Sequence, residues 1–414
     1  MKRNLISAAV AAAVLGAGSM SAQAADTIRM AFIDPLSGPF AATGTNGLKE
    51  FQFFAEQINK KGGVLGKQLE VVGFDNKISP KESLIQLKRV IGEGIQFVYQ
   101  GNSSGVAHAL TDAIEKHNKR NPDQRVLFLN YSAVDPALTN EKCNFWHFRF
   151  DANSDMKMKA LAANIAMNKD IKNVYVIGQD YSFGKAVAEA ATNYLPKMRS
   201  DLKVTGSELH PIGKVKDFTP YIAKIKSSGA DAVITGNWGA DMVGLAKAAA
   251  DSGLGLPMYT YYGAKTGITK AIGGGGVNLV RLVHEGADNP ALTDEWRQLQ
   301  IEFKKQYPDD DFTQNRISNA LGMTVKAIEK AGSTEPMKVA MALEGMTHTA
   351  YWGDEVAMRA SDHQLQMPLR ISVHTDKDVD FDGDNSGYGL VTEATIPTEI
   401  TSLESTCKME RPKE

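Results

Sequence analysis

The sequence predicts an α/β protein, built as two Rossmann-like lobes with parallel-type sheets joined by a hinge of several strands. Three observations predict it. From residue 28 onward, short apolar runs alternate with amphipathic runs of helical period, the rhythm of a parallel sheet covered on both faces. That rhythm restarts at residue 146, giving two such units in tandem. With 414 residues, the chain is long enough for two domains.

The first unit begins with a strand over residues 28–34 and the loop Pro35-Leu36-Ser37-Gly38-Pro39. Residues 47–60 are helical, with Leu48, Phe51, Phe54 or Ala55, and Ile58 on one face, and Gly62-Gly63 stops them. Residues 68–75 form a second strand. Ser79-Pro80 starts a helix that turns Leu84, Leu87 and Ile91 inward, and proline suits its first turn. Residues 95–99 read as a buried strand ending in Gly101-Asn102-Ser103-Ser104-Gly105. Val106, Leu110, Ala113 and Ile114 then open a helix at once. Residues 125–130 are the next strand, leaving through Tyr131-Ser132-Ala133-Val134.

In the second unit, a strand over 146–150 runs into Asp151-Ala152-Asn153-Ser154 and a helix with Met158, Leu161, Ile165 and Ala166 inward. The strand over 173–178 exits through Gln179-Asp180-Tyr181-Ser182-Phe183-Gly184. Strands follow over 204–209, 232–236 and 258–261, with Asn237-Trp238-Gly239 as another exit loop. The strand over 279–284 runs into Glu285-Gly286. Helices are expected over 293–307, 315–331 and 336–343, and short strand-like pieces after Trp352. The expected crossings lie near 148–152, 284–289 and 365–371. They give a first lobe of residues 25–149 plus 287–366 and a second of 150–286 plus 367–414, the latter with a C-terminal extension.

Residues 1–24 read as a signal peptide: basic Lys2 and Arg3, an apolar stretch over 5–16, and the small-residue site Ala22-Gln23-Ala24. No cysteine lies near the cut, so the mature protein is expected free in an oxidising compartment, most simply a bacterial periplasm. Loss of the leader removes two bases and no acid, so the net charge of −2 becomes more negative by two. No basic stripe with interleaved aromatics occurs, which argues against nucleic acid as a partner. The two cysteines, Cys143 and Cys407, are expected to pair, tying the tail to the middle of the chain; two separate thiols are the alternative.

Doubly wound sheets bind ligands at the carboxyl ends of their strands, where the loops of Ser37, Ser103 and Ser132 lie. Ser103 and Ser104 precede a helix, whose unpaired amides and dipole favour an anion; a carboxylate fits there. Simple helix capping is the plainer alternative. Gly101-x-Ser103-x-Gly105 also matches the nucleophile elbow of a serine hydrolase, with His284, His348, His363 and Asp231 available but none singled out by spacing. Gly273–Gly276 lacks a following Lys-Ser/Thr and is a turn rather than a phosphate loop. Asp380-Phe381-Asp382-Gly383-Asp384 lacks the later ligands of a calcium loop, with Asn385 and Val391 at key places. No metal or other cofactor is expected.

Phe32-Ile33-Asp34-Pro35-Leu36-Ser37-Gly38-Pro39 and, at the right distance, Asn59-Lys60-Lys61-Gly62-Gly63-Val64-Leu65-Gly66-Lys67 carry a resemblance. With the Gly101–Gly105 loop, Asp135-Pro136-Ala137-Leu138-Thr139 and Asp180-x-x-x-Gly184, the mature chain resembles the periplasmic binding proteins of branched-chain amino-acid ABC transporters. The resemblance implies a type I two-lobed fold that closes on a small ligand and hands it to an inner-membrane permease, working as a monomer without catalysis. It implies that Ser103 and Ser104 hold a ligand carboxylate. The loop of Ser132, Ala133 and Val134 would offer a carbonyl and a hydroxyl to a ligand ammonium, and Glu285 a carboxylate from the other lobe. Tyr181, Phe183, Trp238 and Tyr262 would close over the side chain. Such proteins commonly have Thr or Ser where this chain has Val134, which weakens ammonium recognition. Relatives of this type also take aromatic carboxylates, amides and urea. Glu285, if ionised in a closed cleft, requires a positive partner. A sensory ligand-binding subunit has the same sequence pattern as a transport one.

Overall fold

The computed structural model of the protein describes residues 27–412 except 265, 266 and 313. The leader predicted over 1–24 lies outside the described residues. The first unit runs β1 (Thr27–Asp34), α1 (Ala41–Lys60), β2 (Gln68–Asp75), α2 (Pro80–Gly92), β3 (Phe97–Gln100), α3 (Ser104–Arg120), β4 (Leu127–Asn130) and β5 (His147–Arg149). Its strands lie in the order β2-β1-β3-β4-β5, all parallel. The helix expected over 47–60 begins earlier, at Ala41, because Gly44 lets its first turn lie on the preceding loop: a Cβ there would stand 1.8 Å from the Pro35 carbonyl oxygen. Ser79 caps α2 by accepting from the Glu82 amide, with Pro80 at its first position.

The second unit follows as α4 (Ser154–Met167), β6 (Asn173–Gln179), α5 (Ser182–Met198), β7 (Lys203–His210), α6 (Thr219–Ser227), β8 (Ala232–Thr235), α7 (Gly239–Asp251), β9 (Met258–Thr260), α8 (Ile268–Ile272) and β10 (Val280–His284). The chain returns through α9 (Asp294–Gln306), α10 (Arg316–Ala331), α11 (Pro336–Leu343), β11 (Thr347–Thr349), β12 (Glu355–Met358) and β13 (Leu365–Gln366). It ends in β14 (Leu369–Thr375), β15 (Gly389–Ile396) and α12 (Thr398–Thr401). Among the described residues the second sheet has the order β15-β14-β10-β9-β8-β6-β7, and β11-β12-β13 form a small third sheet. β14 and β15 join it antiparallel, as return strands. α10 packs on α1, so residues after β10 complete the first lobe.

The strand orders place a switch of direction between β1 and β3 in one sheet and between β6 and β8 in the other. The two lobes present these switch points to each other, and ligands of doubly wound sheets bind there. The end of the chain departs from expectation. The expected second lobe runs to residue 414, yet Ser405 Oγ donates to the Thr139 carbonyl, Arg411 pairs with Glu344, and Cys407 is bonded to Cys143, all on the first lobe. Gly273–Gly276 is a short helical turn, and Asp382 accepts from the amides of Asp384 and Gly387, closing its own loop. No helix among the described residues is long and apolar enough to cross a membrane.

Candidate functional site

A cavity of about 80 Å³ lies between the two switch points. One wall carries Asn102, Ser103, Ser104, Ser132, Ala133 and Val134; the other carries Tyr181, Phe183, Trp238, Tyr261 and Tyr262. The structure thus brings together eight of the expected site residues: Ser103, Ser104, Ser132, Ala133, Tyr181, Phe183, Trp238 and Tyr262. Ser37 and Glu285 do not line it. The Ser37 hydroxyl instead donates to Asp75 at 2.5 Å, because the loop after β1 folds over the end of β2.

The turn after β3 is built from below. Asp34, at the end of β1, accepts from the Gly101 and Asn102 amides at 3.2 and 3.0 Å and from the Tyr131 hydroxyl at 2.6 Å. These two amides of the turn are therefore used by the protein. Burial pushes the Asp34 carboxyl up to about 7 against those hydrogen bonds. The helix amides remain: Val106 and Ala107 donate to Ser103, whereas Ser104 and Gly105 have no amide partner among the described residues. Ser103 sits at φ 80°, where glycine is the ordinary choice, and its hydroxyl does not cap the helix. Ser103 thus pairs a strained backbone with an uncommitted hydroxyl at the cavity wall. The Ser104 hydroxyl accepts from the Asp135 amide at 3.3 Å.

Beneath the aromatic wall lies a buried quartet of charges. Lys157 Nζ stands 2.9 Å from Asp151 and 4.8 Å from the Tyr262 ring centre. The Arg316 amide donates to Glu285 at 2.8 Å, and its guanidinium lies 3.4 Å from both Glu285 and Asp151. The same guanidinium donates to Ser132 Oγ at 2.9 Å and to Gln314 Oε1 at 3.0 Å. Burial alone would raise the Glu285 pKa, but Arg316 and Lys157 outweigh it and hold it at about 2. Burial likewise opposes the Arg316 charge, and Asp151 and Glu285 reverse that. Glu285 is therefore ionised, and the positive partner it requires is part of this chain.

Sequence reasoning missed Lys157, Gln314 and Arg316, all on the cavity wall. A signal existed. Lys157 falls in line with Leu161 and Ile165, and Arg316 with Ala320, Met323 and Ala327, so each is a cation inside an apolar helical stripe.

The lobes meet over the cavity. Phe40 of the first and Trp238 of the second have ring centres 4.4 Å apart. The Tyr262 hydroxyl donates toward the Ser132 carbonyl at 3.3 Å and Asp151 at 3.1 Å. This is a closed arrangement, with Trp238 donating to the Tyr181 hydroxyl at 2.9 Å.

Comparison with known proteins adds four findings. The pattern of the periplasmic binding protein family matches residues 27–378. The chain is 30% identical, over 98% of both chains, to the Leu/Ile/Val-binding protein homolog 4 of Brucella abortus. It is also 30% identical to the leucine-, isoleucine-, valine-, threonine- and alanine-binding protein of Pseudomonas aeruginosa, over 81% of this chain and 87% of that one. Among solved structures, the closed form of the similarly named protein from Brucella ovis superposes with a TM-score of 0.82. That match has 28% identity and covers 94% of this chain and 100% of the other.

Proposed function

Because this chain belongs to the periplasmic binding protein family, we propose that it is the solute-binding subunit of an ABC importer for a small, apolar, carboxylate-bearing solute. The observation that carries the reading is the pairing of an uncommitted Ser103 hydroxyl and helix start on one wall with aromatic rings on the other, inside a closed interlobe cavity. The carboxylate docks on Ser103 and the first turn of α3; the apolar body lies among Phe183, Trp238 and Tyr262. The second lobe then closes over it by hinge bending, and the closed surface is what an inner-membrane permease recognises.

Two solute classes share this pattern. Hydrophobic amino acids come first, from the names of the relatives. Aromatic carboxylates come second, favoured by the aromatic wall and by Val134, which brings no hydroxyl to the cavity. The periplasm is the place of action, reached through the leader over 1–24 and its removal. Catalysis by Ser103 has little support: His284 on the cavity wall is bonded to Ser372 and His108 to Asp135, while His348 faces Lys326 and His363 faces Glu344.

A thermal-shift panel of the mature protein tests the reading. It holds leucine, isoleucine, valine, phenylalanine, aromatic carboxylates, short amides and urea. Carboxylate-bearing members are expected to raise the melting temperature by mass action. A shift by amides or urea alone would overturn the carboxylate.

A further inference from the structure

The cavity wall is rich in donors and poor in free acceptors. An α-ammonium needs acceptors, and those that the family resemblance would provide on the cavity wall already accept from the protein. The Ser132 carbonyl shares the Tyr262 hydroxyl proton with Asp151, the Ala133 carbonyl receives Asn130 Nδ2 at 2.8 Å, and the Val134 carbonyl receives the Ser154 amide at 2.9 Å. Ser132 Oγ and Gln314 Oε1 both accept from Arg316. The Tyr181 hydroxyl accepts from Trp238, and the Tyr261 hydroxyl, which donates to the Ser154 carbonyl, offers only a neutral phenolic oxygen. Val134 has no hydroxyl. Glu285 holds Arg316 by both amide and guanidinium through Oε1; its Oε2 has no hydrogen-bond partner among the described residues, but Glu285 does not line the cavity, and Asp151 holds Lys157 and Arg316. Two buried acids against two buried bases leave this quartet neutral without help from a ligand.

We propose that Arg316 occupies the electrostatic place of a ligand ammonium beside Glu285 and so sets specificity, making the cavity prefer carboxylates without an α-amino group over the matching amino acids. The inference rests on the carboxylate reading above and narrows it. An amino acid entering the closed cavity would lose the hydration of its ammonium and find no carboxylate without its own cation in return, whereas its deaminated analogue keeps the carboxylate contacts and avoids that loss. Arg316 would act by charge complementarity, excluding the wrong partner as much as supporting the right one.

The test is calorimetric titration of the mature protein with two matched pairs: L-leucine against 4-methylpentanoate, and L-phenylalanine against 3-phenylpropanoate. Within each pair the side chain and carboxylate are shared. The deaminated member is expected to bind at least about tenfold tighter in one pair or both. An amino acid binding as tightly as its partner, or tighter, in both pairs overturns the inference and leaves the carboxylate reading standing. Failure of all four to bind overturns both. Two variants read out the residue itself. Arg316→Gln frees Glu285, and Val134→Thr adds a hydroxyl acceptor without touching the charge quartet. Each is expected to move the ratio toward the amino acid by about tenfold. Should Arg316→Gln fail to fold, Val134→Thr still decides; an unmoved ratio in a folded variant counts against the proposal.

Discussion

Ser103 combines local strain with a place on the cavity wall. Its φ of 80° suits glycine, and the position nevertheless keeps a hydroxyl. Ser103→Gly should therefore leave the unfolding midpoint unchanged or raised while weakening solute binding about tenfold. Unchanged affinity, measured by titration, would remove Ser103 from the site. Two buried acids make opposite demands on pH. Glu285 has its pKa lowered from 4.5 to about 2, so its stabilising contribution is full above 4.5 and fades as pH falls toward 2. Asp34 is raised from 3.8 to about 7, so its contribution is full below 3.8 and is lost as pH rises through 7. Urea unfolding across pH 3 to 8 should show stability falling at both ends. Asp34→Asn should flatten the upper limb, and Glu285→Gln the lower one, which the same titration reads.

At the scale of elements, the site depends on how strand ends are tied together. Asp34 joins the end of β1 to the turn entering α3 and to Tyr131 after β4. Asp34→Ala would leave three donors without their acceptor, and removing one partner of a buried hydrogen bond costs about 1–3 kcal/mol. A loss of at least about 2 kcal/mol in urea unfolding, with weaker solute binding from a residue off the cavity wall, is the expected outcome. The order of these elements was legible because alternation of apolar runs and helical stripes is a local property. Their first turns were less so. α1 begins at Ala41 because its Gly44 packs on Pro35, and Gly184 of α5 does the same against Gln179, a contact that spacing along the chain does not reveal.

The whole molecule is a closed pair of lobes. Phe40 reaches across to Trp238, and Gly213 and Gly239 of the second lobe approach its ring so closely that a Cβ would stand 2.9 and 2.6 Å away. These contacts exist only when the cleft is shut, so Phe40→Ala should shift the population toward open forms. Several-fold weaker affinity is expected, with a larger radius of gyration by small-angle scattering in the presence of solute. A compact, fully affine variant would show that closure does not depend on this pair. The tail adds a fourth link between lobes. β15 and α12 sit with the second lobe, where α12 packs on α4, while Cys407 is bonded to Cys143 of the first across 264 positions. Replacing both cysteines by serine should lower unfolding stability by about 2–5 kcal/mol.

The sequence by itself determined the α/β class, the tandem units and the strand-exit loops that line the cavity, since these follow from residue period and from the rule that doubly wound sheets bind at strand ends. It also singled out Ser103, Trp238 and Val134, which lie on the cavity wall. Only the tertiary structure decided what Glu285 faces. Arg316 lies 31 positions away and Lys157 on a different helix, and no spacing rule brings them to one carboxylate. Charge pairing in a buried site depends on distance in space and on lost hydration, and the fold alone sets both.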